Sequence, residues 1–188
     1  MVDTRIDEER FGVFAPLSRH TSLEVGSQIT NRGHRVQAAG RVALIEPAER
    51  VMTDCALESP VTIAVDSVVD DAVLMMSEAG VHALFVMRSE VAVGLITSDD
   101  ILADRVSEFL MRSGLTGRSE VEVGHVMTPW AAVPTIDVPW LALATVVDVH
   151  ERFRRKGASH FVVVEYAEDG SVIIRGMFSR TEVERRLK

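Results

Sequence analysis

Thr97 and Asp100 form the residue pair whose types and spacing most directly suggest ligand chemistry. They follow residues 91–96, where a strand pattern gives way to a helix pattern, and their separation of three residues places both side chains on one face of the first helical turn. A hydroxyl and a carboxylate so placed can bind a diol, and free amides at a helix N-terminus favour a nearby phosphate. The same residues also suit a structural role, in which Thr97 caps the helix and Asp100 complements its dipole.

Other polar residues give weaker signals. The densest basic cluster is Arg152, Arg154, Arg155 and Lys156. It either meets phosphates from a neighbouring unit or complements the dipole of a helix C-terminus. The six histidines show no metal-ligand spacing, and the single Cys55 cannot supply a multi-thiolate site. The sequence contains no nucleophile motif, phosphate loop or dinucleotide fingerprint. We therefore expect neither a metal site nor catalytic residues, and hence no enzyme.

Composition narrows the class of protein. A chain of 188 residues with 47% hydrophobic content can bury one mid-sized core or two small ones. A net charge of -8 repels phosphate backbones and argues against a nucleic-acid partner. Residues 1–10 are too charged for a signal peptide, and the apolar stretch 130–147 is interrupted by Pro134, Asp137 and Pro139. We expect a soluble, cytoplasmic protein with no membrane partner.

The elements that position Thr97 and Asp100 recur in the second half of the chain. Residues 61–65, 83–87 and 91–96 have strand patterns, and 68–78 and 98–111 have helix patterns. After the glycines of 114–117 the order strand, helix, strand, strand, helix returns, with strands near 132–136, 161–164 and 172–178, a helix reaching Lys156 and another over 180–188. A repeat of about 60 residues with insertions in loops indicates two small fused domains.

Short motifs in the two copies identify the repeat more closely. Val-Met-Thr occurs at 51–53 and 126–128, Gly-Val-His-Ala-Leu-Phe-Val at 80–86 is matched by Gly-Ala-Ser-His-Phe-Val-Val at 157–163, and Gly-Leu-Ile-Thr-Ser-Asp-Asp occupies 94–100. In these segments the sequence resembles the cystathionine β-synthase (CBS) domain family, whose members usually occur as tandem pairs called Bateman modules. The resemblance covers about residues 48–188 and implies an α/β (α+β) fold of two β-α-β-β-α units, packed sheet to sheet with pseudo-twofold symmetry.

The resemblance also implies a division of the chain and a set of binding residues. It divides the chain into an arm or cap at 1–47, a first unit at 48–112, a linker at 113–120 and a second unit at 121–188. It assigns ribose hydroxyls to Thr97 and Asp100. An apolar purine slot is expected at a set of residues that are core in any case, namely Val61, Thr62, Ile63, Ala83 and Leu84.

The second copy departs from the family pattern. It keeps a hydroxyl at Ser179, but Glu182 stands where the family favours aspartate. The extra methylene displaces the carboxylate by more than about one ångström, enough to spoil bidentate geometry on a diol. Phe178 is bulky, and Pro134 lacks an amide donor. We therefore expect one adenosine nucleotide (AMP, ADP or ATP) per chain as a regulatory ligand, and no required cofactor.

Two functions follow from the resemblance. The first is a stand-alone regulatory module that binds an adenosine nucleotide between its units and acts on an effector protein that the sequence does not identify. The alternative is a structural or interaction domain whose clefts are filled by side chains. A homodimer is also expected, because the sheets can bury only part of two helical stripes. These are Val69, Val73 and Met76 in the first copy, and Val146, Val149 and Phe153 in the second, unless the arm covers them with Phe11, Val13, Phe14 and Leu17.

Overall fold

The computed structural model describes residues 23–24, 42–89, 91–102, 105–168 and 172–187. The strands are β1 (Leu23–Glu24), β2 (Thr53–Asp54), β3 (Thr62–Ala64), β4 (Ala83–Arg88), β5 (Val91–Thr97), β6 (Thr128–Pro129), β7 (Thr135–Asp137), β8 (His160–Tyr166) and β9 (Val172–Ser179). The helices are α1 (Val69–Ala79), α2 (Ser98–Leu102), α3 (Arg105–Ser113), α4 (Val123–Val126), α5 (Val138–Leu141), α6 (Val146–Lys156) and α7 (Arg180–Leu187). None of the helices within these ranges has the length and apolar character needed to cross a membrane.

The strands form two sheets of matching design. One sheet has the order β3-β4-β5-β6, and the other has the order β1-β9-β8-β7 with β2 also paired to β9. In each sheet the first strand of the repeat runs parallel to the second, and the second and third form an antiparallel hairpin. Both hairpins shift register at a corresponding point, between Val86 and Met87 and between Val163 and Val164. The predicted repeat and mixed α/β fold are confirmed.

The two sheets pack face to face across an apolar layer. Phe85 and Leu95 of the first sheet meet Val162 and Val164 of the second, with Trp130 at the side. The opposite face of each sheet is covered by helices, which creates a separate core in each unit. This arrangement confirms the expected sheet-to-sheet packing.

The two halves of the chain exchange short segments. β2 pairs with β9 in the second sheet, where Thr53 lies opposite Met177, and β6 pairs with β5 in the first sheet, where Thr128 lies opposite Leu95. The residues just before β2 are buried in the second core, and those just before β6 are buried in the first. Residues 48–54 and 121–129 therefore pack in the unit opposite to the one that the repeat suggests.

Two glycines make this exchange possible. A Cβ atom on Gly94 of β5 would lie 2.5 Å from the backbone oxygen of Thr128, and one on Gly176 of β9 would lie 2.6 Å from that of Thr53. Real Cβ atoms do not approach backbone oxygens so closely. Glycine at these positions lets the exchanged segments lie against the sheets.

Residues 42–46 of the predicted arm lie against α6. Residues 43–46 form a turn in which the Glu46 amide donates to the Ala43 oxygen at 3.0 Å, and the oxygens of Leu44 and Glu46 accept hydrogen bonds from the amides of Val147 and Val146, each at 2.9 Å. These amides belong to the first turn of α6 and have no partner within the helix. The turn therefore caps α6. The residues Phe11, Val13, Phe14 and Leu17 lie outside the described part of the chain.

The apolar stripes expected at a dimer interface are largely internal. Val146, Val149 and Phe153 of α6 are buried in the second core, where Phe153 packs on Phe161 with ring centroids 4.8 Å apart. The expectation that this stripe stays partly exposed is wrong, because Ala48 and the residues around it cover the rest of α6. In α1, Val69 and Met76 are also buried, and Val73 alone of that stripe is exposed.

Candidate functional site

Thr97 and Asp100 meet where β5 runs into α2. Asp100 Oδ2 accepts hydrogen bonds from the Thr97 amide at 2.9 Å and from Thr97 Oγ1 at 2.8 Å. The Asp100 amide donates to Thr97 Oγ1 at 3.2 Å. These reciprocal bonds form a capping box, and both residues are buried. The predicted convergence of the two side chains is thus present, and so is the structural capping role that was its alternative.

Arg105, the first residue of α3, binds the other carboxylate oxygen. Its Nη1 lies 2.7 Å from Asp100 Oδ1, and the same nitrogen donates to the backbone oxygen of Val126 at 3.3 Å and to Thr128 Oγ1 at 3.2 Å. Asp100 is thereby tied to the exchanged segment at β6. Sequence reasoning missed Arg105, because a separation of five residues is not a helical pair spacing.

A cleft of about 360 Å³ opens beside this group between the two units. Thr97, Asp100 and Arg105 line it from the first unit, and Pro134 and His160 line it from the second. Its volume is within the range of small-molecule sites in proteins. The cleft thus combines a hydroxyl, a carboxylate and a guanidinium with a wall from the opposite unit.

The five residues predicted to form a purine slot are not brought to this cleft. Ile63 and Leu84 are buried in the core of the first unit, and Ala83 lies in the layer between the sheets. The cleft is lined instead by residues of the second unit, and neither Val61 nor Thr62 lines it. These second-unit residues are Val133, Pro134, Ala158, Ser159 and His160. The reason is the pseudo-twofold packing, which places the strand-to-helix junction of one unit opposite the first strand of the other.

His160 contributes a buried imidazole to the cleft wall. Burial lowers the pKa of His160 to about 4, against the opposing effect of Asp99, and His82 and Arg180 lower it further. Its Nδ1 lies 3.1 Å from Ser159 Oγ. The imidazole is therefore neutral at physiological pH. Across the described ranges, no group of three or more His, Cys, Asp or Glu residues is placed to hold a metal ion.

The equivalent pair in the second unit is arranged differently. Glu182 accepts hydrogen bonds from Arg185 at 2.7 and 2.9 Å and from Arg186 at 2.7 Å. The hydrogen bond from Arg185, together with Arg186, holds the pKa of Glu182 below its usual range against the opposing effect of burial. Its carboxylate is thus engaged by arginines of its own helix, while Ser179 ends β9. This unit therefore lacks the hydroxyl-carboxylate contact that joins Thr97 to Asp100.

The basic cluster near the end of α6 does not act as one surface. Arg152 is buried, and its guanidinium carbon lies 4.8 Å from the ring centre of Trp140. Burial lowers the pKa of Arg152, and Asp137 opposes the effect. Arg154 pairs with Glu151 at 2.8 Å on the surface, whereas Lys156 lines the cleft. Arg152, Arg154 and Lys156 thus lie in the core, on the surface and in the cleft, respectively.

Comparisons with known proteins agree with this architecture. The family model of the CBS domain matches residues 48–106. CBSX2 from Arabidopsis thaliana, solved with AMP, is similar at 20% identity over 74% of this chain and 94% of its own, with a TM-score of 0.52. The CBS domain protein TA0289 of unknown function from Thermoplasma acidophilum is 23% identical over 77% of this chain and 70% of its own, with a TM-score of 0.54. The CBS domain of a bacterial CNNM/CorC family Mg²⁺ transporter, solved with ATP, is 17% identical over 76% of this chain and 87% of its own, with a TM-score of 0.50. At these identities the likeness establishes the fold.

Proposed function

We propose that this chain is a regulatory module of two CBS-type units whose cleft binds an adenosine-containing nucleotide. The observation that carries the proposal is the placement of the Thr97 hydroxyl and the Asp100 carboxylate, 2.8 Å apart, in a cleft between the two units. A carboxylate can accept hydrogen bonds from both hydroxyls of a cis-diol, which is the distinguishing group of ribose. The structures of CBSX2 with AMP and of the CNNM/CorC family domain with ATP support this class of ligand.

The rest of the cleft favours a phosphorylated ligand with an apolar ring. Pro134 and Ala158 provide apolar surface on the wall opposite Asp100, beside the neutral imidazole of His160. Arg105 and Lys156 also line the cleft, and their positive charges attract phosphates in a chain whose net charge is negative. AMP, ADP and ATP share these features, so the cleft selects the class rather than one member.

Regulation rather than catalysis follows from the position of the cleft. A ligand held between two units binds one of their relative arrangements better than another, and this difference shifts the equilibrium between them. The single cysteine is unsuited to act as a nucleophile, because burial, with Asp54 and Glu58 adding to it, raises the pKa of the Cys55 thiol to about 12.

A thermal-shift screen of the full chain tests the proposal. AMP, ADP, ATP, NAD and S-adenosylmethionine are compared with GMP as a control, because GMP has the same ribose and phosphate but a different base. We expect a saturable increase of Tm with at least one adenine nucleotide and a smaller one with GMP, since a ligand that binds the folded state stabilises it. No increase with any adenine compound, or an equal increase with GMP, contradicts the proposal.

One exposed surface favours the second candidate function, an interaction domain that forms a homodimer. Val73, Leu74 and Leu102 on the outside of the first unit are 42%, 61% and 82% exposed. Val73 and Leu102 border a groove of about 340 Å³. Contiguous apolar surface on two helices is typical of interaction sites, and a second copy of the same chain would bury it symmetrically.

Light scattering on the full chain tests the dimer. Leu102→Glu places a charge in the groove and is expected to produce a monomer, because the charge would be desolvated in the interface. Leu143→Glu is the matched control, since Leu143 is 88% exposed in the second unit. A monomeric wild-type chain, or equal dissociation by both substitutions, contradicts this assignment.

A further inference from the structure

We infer that Arg105 is a latch that competes with the ligand for Asp100 and couples occupancy of the cleft to the segment at β6. This inference rests on the proposed function and adds the route by which binding is communicated. Arg105 bonds to Asp100 from one side and to Val126 and Thr128 from the other, through a single guanidinium nitrogen.

The hydrogen-bonding capacity of Asp100 leaves too little room for both partners. A carboxylate has about four acceptor sites, and three are used, two on Oδ2 by Thr97 and one on Oδ1 by Arg105. A diol donates two hydrogen bonds, so one acceptor site is missing. The bonds from Thr97 also cap α2, so breaking them would destabilise that helix. The bond from Arg105 has no capping role and can break without this cost.

Burial identifies which partner moves. The side chain of Asp100 is 9% exposed and that of Arg105 is 48% exposed. The guanidinium can therefore turn toward water or toward a phosphate without crossing the core, but the carboxylate cannot leave its position.

Release of Arg105 removes contacts from the exchanged segment. Its partners Val126 and Thr128 lie at the end of α4 and on β6, which pairs with β5 at Leu95. The chain then passes through Trp130 to Val133 and Pro134 in the opposite wall of the cleft. Loss of the bonds to Val126 and Thr128 therefore loosens residues 126–134, which run from the first sheet to the opposite wall of the cleft.

The second unit contains a corresponding arginine bridge, and comparison of the two bridges supports the role inferred for Arg105. There Arg186 of α7 pairs with Glu182 at 2.7 Å and donates to the backbone oxygen of Arg50 at 2.6 Å, two residues before Met52 of the repeated Val-Met-Thr motif. The Arg186 side chain is 11% exposed, and Glu182 is held by Arg185 as well. In the second unit the bridging arginine is nearly buried and its carboxylate binds two arginines. In the first unit Arg105 is half-exposed, and Asp100 is paired with that one arginine among the ion pairs of the described residues.

Binding of adenosine and AMP to the full chain tests the latch. Arg105→Gln is expected to tighten adenosine binding about three- to five-fold, the range typical of a partly exposed ion pair, because Asp100 gains a free acceptor site. Adenosine is the informative probe because it has no phosphate that Arg105 could contact. For AMP the gain should be smaller, since a phosphate contact is lost as well. Arg118→Gln is the matched control, because it removes an exposed ion pair with Asp70 of 2.6 Å between residues that do not line the cleft.

The outcomes separate the latch from the proposed function. If the wild type binds AMP but Arg105→Gln leaves adenosine affinity unchanged or weaker, the latch is wrong and the nucleotide site stands. If neither chain binds adenosine or AMP, both the nucleotide site and the latch are wrong. Hydrogen exchange provides a second readout: AMP should accelerate exchange of the Met127 and Thr128 amides in the wild type, and their slower exchange or an unchanged rate overturns the coupling.

Discussion

Acidification should destabilise this fold through His160 in particular. The residue is 6% exposed, and burial lowers its pKa from 6.5 to about 4. Since the folded-state pKa is the lower one, the unfolded chain binds the proton more readily between these values, and stability is lost as the pH falls through that window. At pH 5 the histidine is mostly protonated when unfolded and mostly neutral when folded. For one proton, the free energy of unfolding falls by about 1.4 kcal/mol per pH unit below the unfolded-state pKa. From that pKa down to pH 5 is roughly 1.5 units, so we expect a loss of about 2 kcal/mol between pH 7 and pH 5.

Urea unfolding of the wild type and of His160→Gln at pH 7 and pH 5 measures this loss. The variant has no titrating group at this position, so the free energy of unfolding should depend on pH by about 2 kcal/mol less than in the wild type. If His160→Gln shows the same loss on acidification as the wild type, the neutral, buried imidazole in the cleft wall is refuted.

Two further predictions concern the exchanged segments and the cysteine. Gly94→Ala and Gly176→Ala should each lower the free energy of unfolding by about 1–3 kcal/mol, because the added Cβ atom meets a backbone oxygen at 2.5 or 2.6 Å. Gly117→Ala, whose Cβ atom would meet the flexible Glu120 side chain at 3.1 Å, is the control, and equal losses in all three variants contradict the close approach. Cys55, whose pKa burial raises to about 12, should react with iodoacetamide at pH 8 much more slowly in the folded chain than in urea. Equal rates, read by mass spectrometry, would show that the thiol is accessible.

The strands and helices of the two repeated units were predictable because they depend on local patterns. Short runs of apolar residues located β4, β5, β8 and β9, and the three-residue spacing of Thr97 and Asp100 located the capping box. The exchange of β2 and β6 was not predictable, since Thr53 and Met177 are far apart in sequence and short strands carry little periodicity.

Tertiary packing also explains two features of the cleft that the sequence did not indicate. The purine slot was assigned to the unit that contains Asp100, but pairing of the sheets brings Pro134 and Ala158 of the other unit to the cleft. Arg105 binds Asp100 across a separation of five residues, which predicts no side-chain pair on a helix. Neither relation leaves a signal in the spacing of residues along one element.

Calorimetric titration with AMP measures whether the cleft at Thr97 and Asp100 binds a nucleotide. We expect one site per chain, with an affinity that Asp100→Asn weakens by about 1.5–3 kcal/mol, because a charge-assisted hydrogen bond to ribose is lost. Glu182→Gln should leave the affinity unchanged, since that carboxylate is engaged by Arg185 and Arg186. Both variants are first compared with the wild type by thermal unfolding, so that a folding defect is separated from a binding defect. Unchanged affinity in a folded Asp100→Asn chain, or an equal loss in Glu182→Gln, would contradict the placement of the nucleotide in the cleft at Thr97 and Asp100.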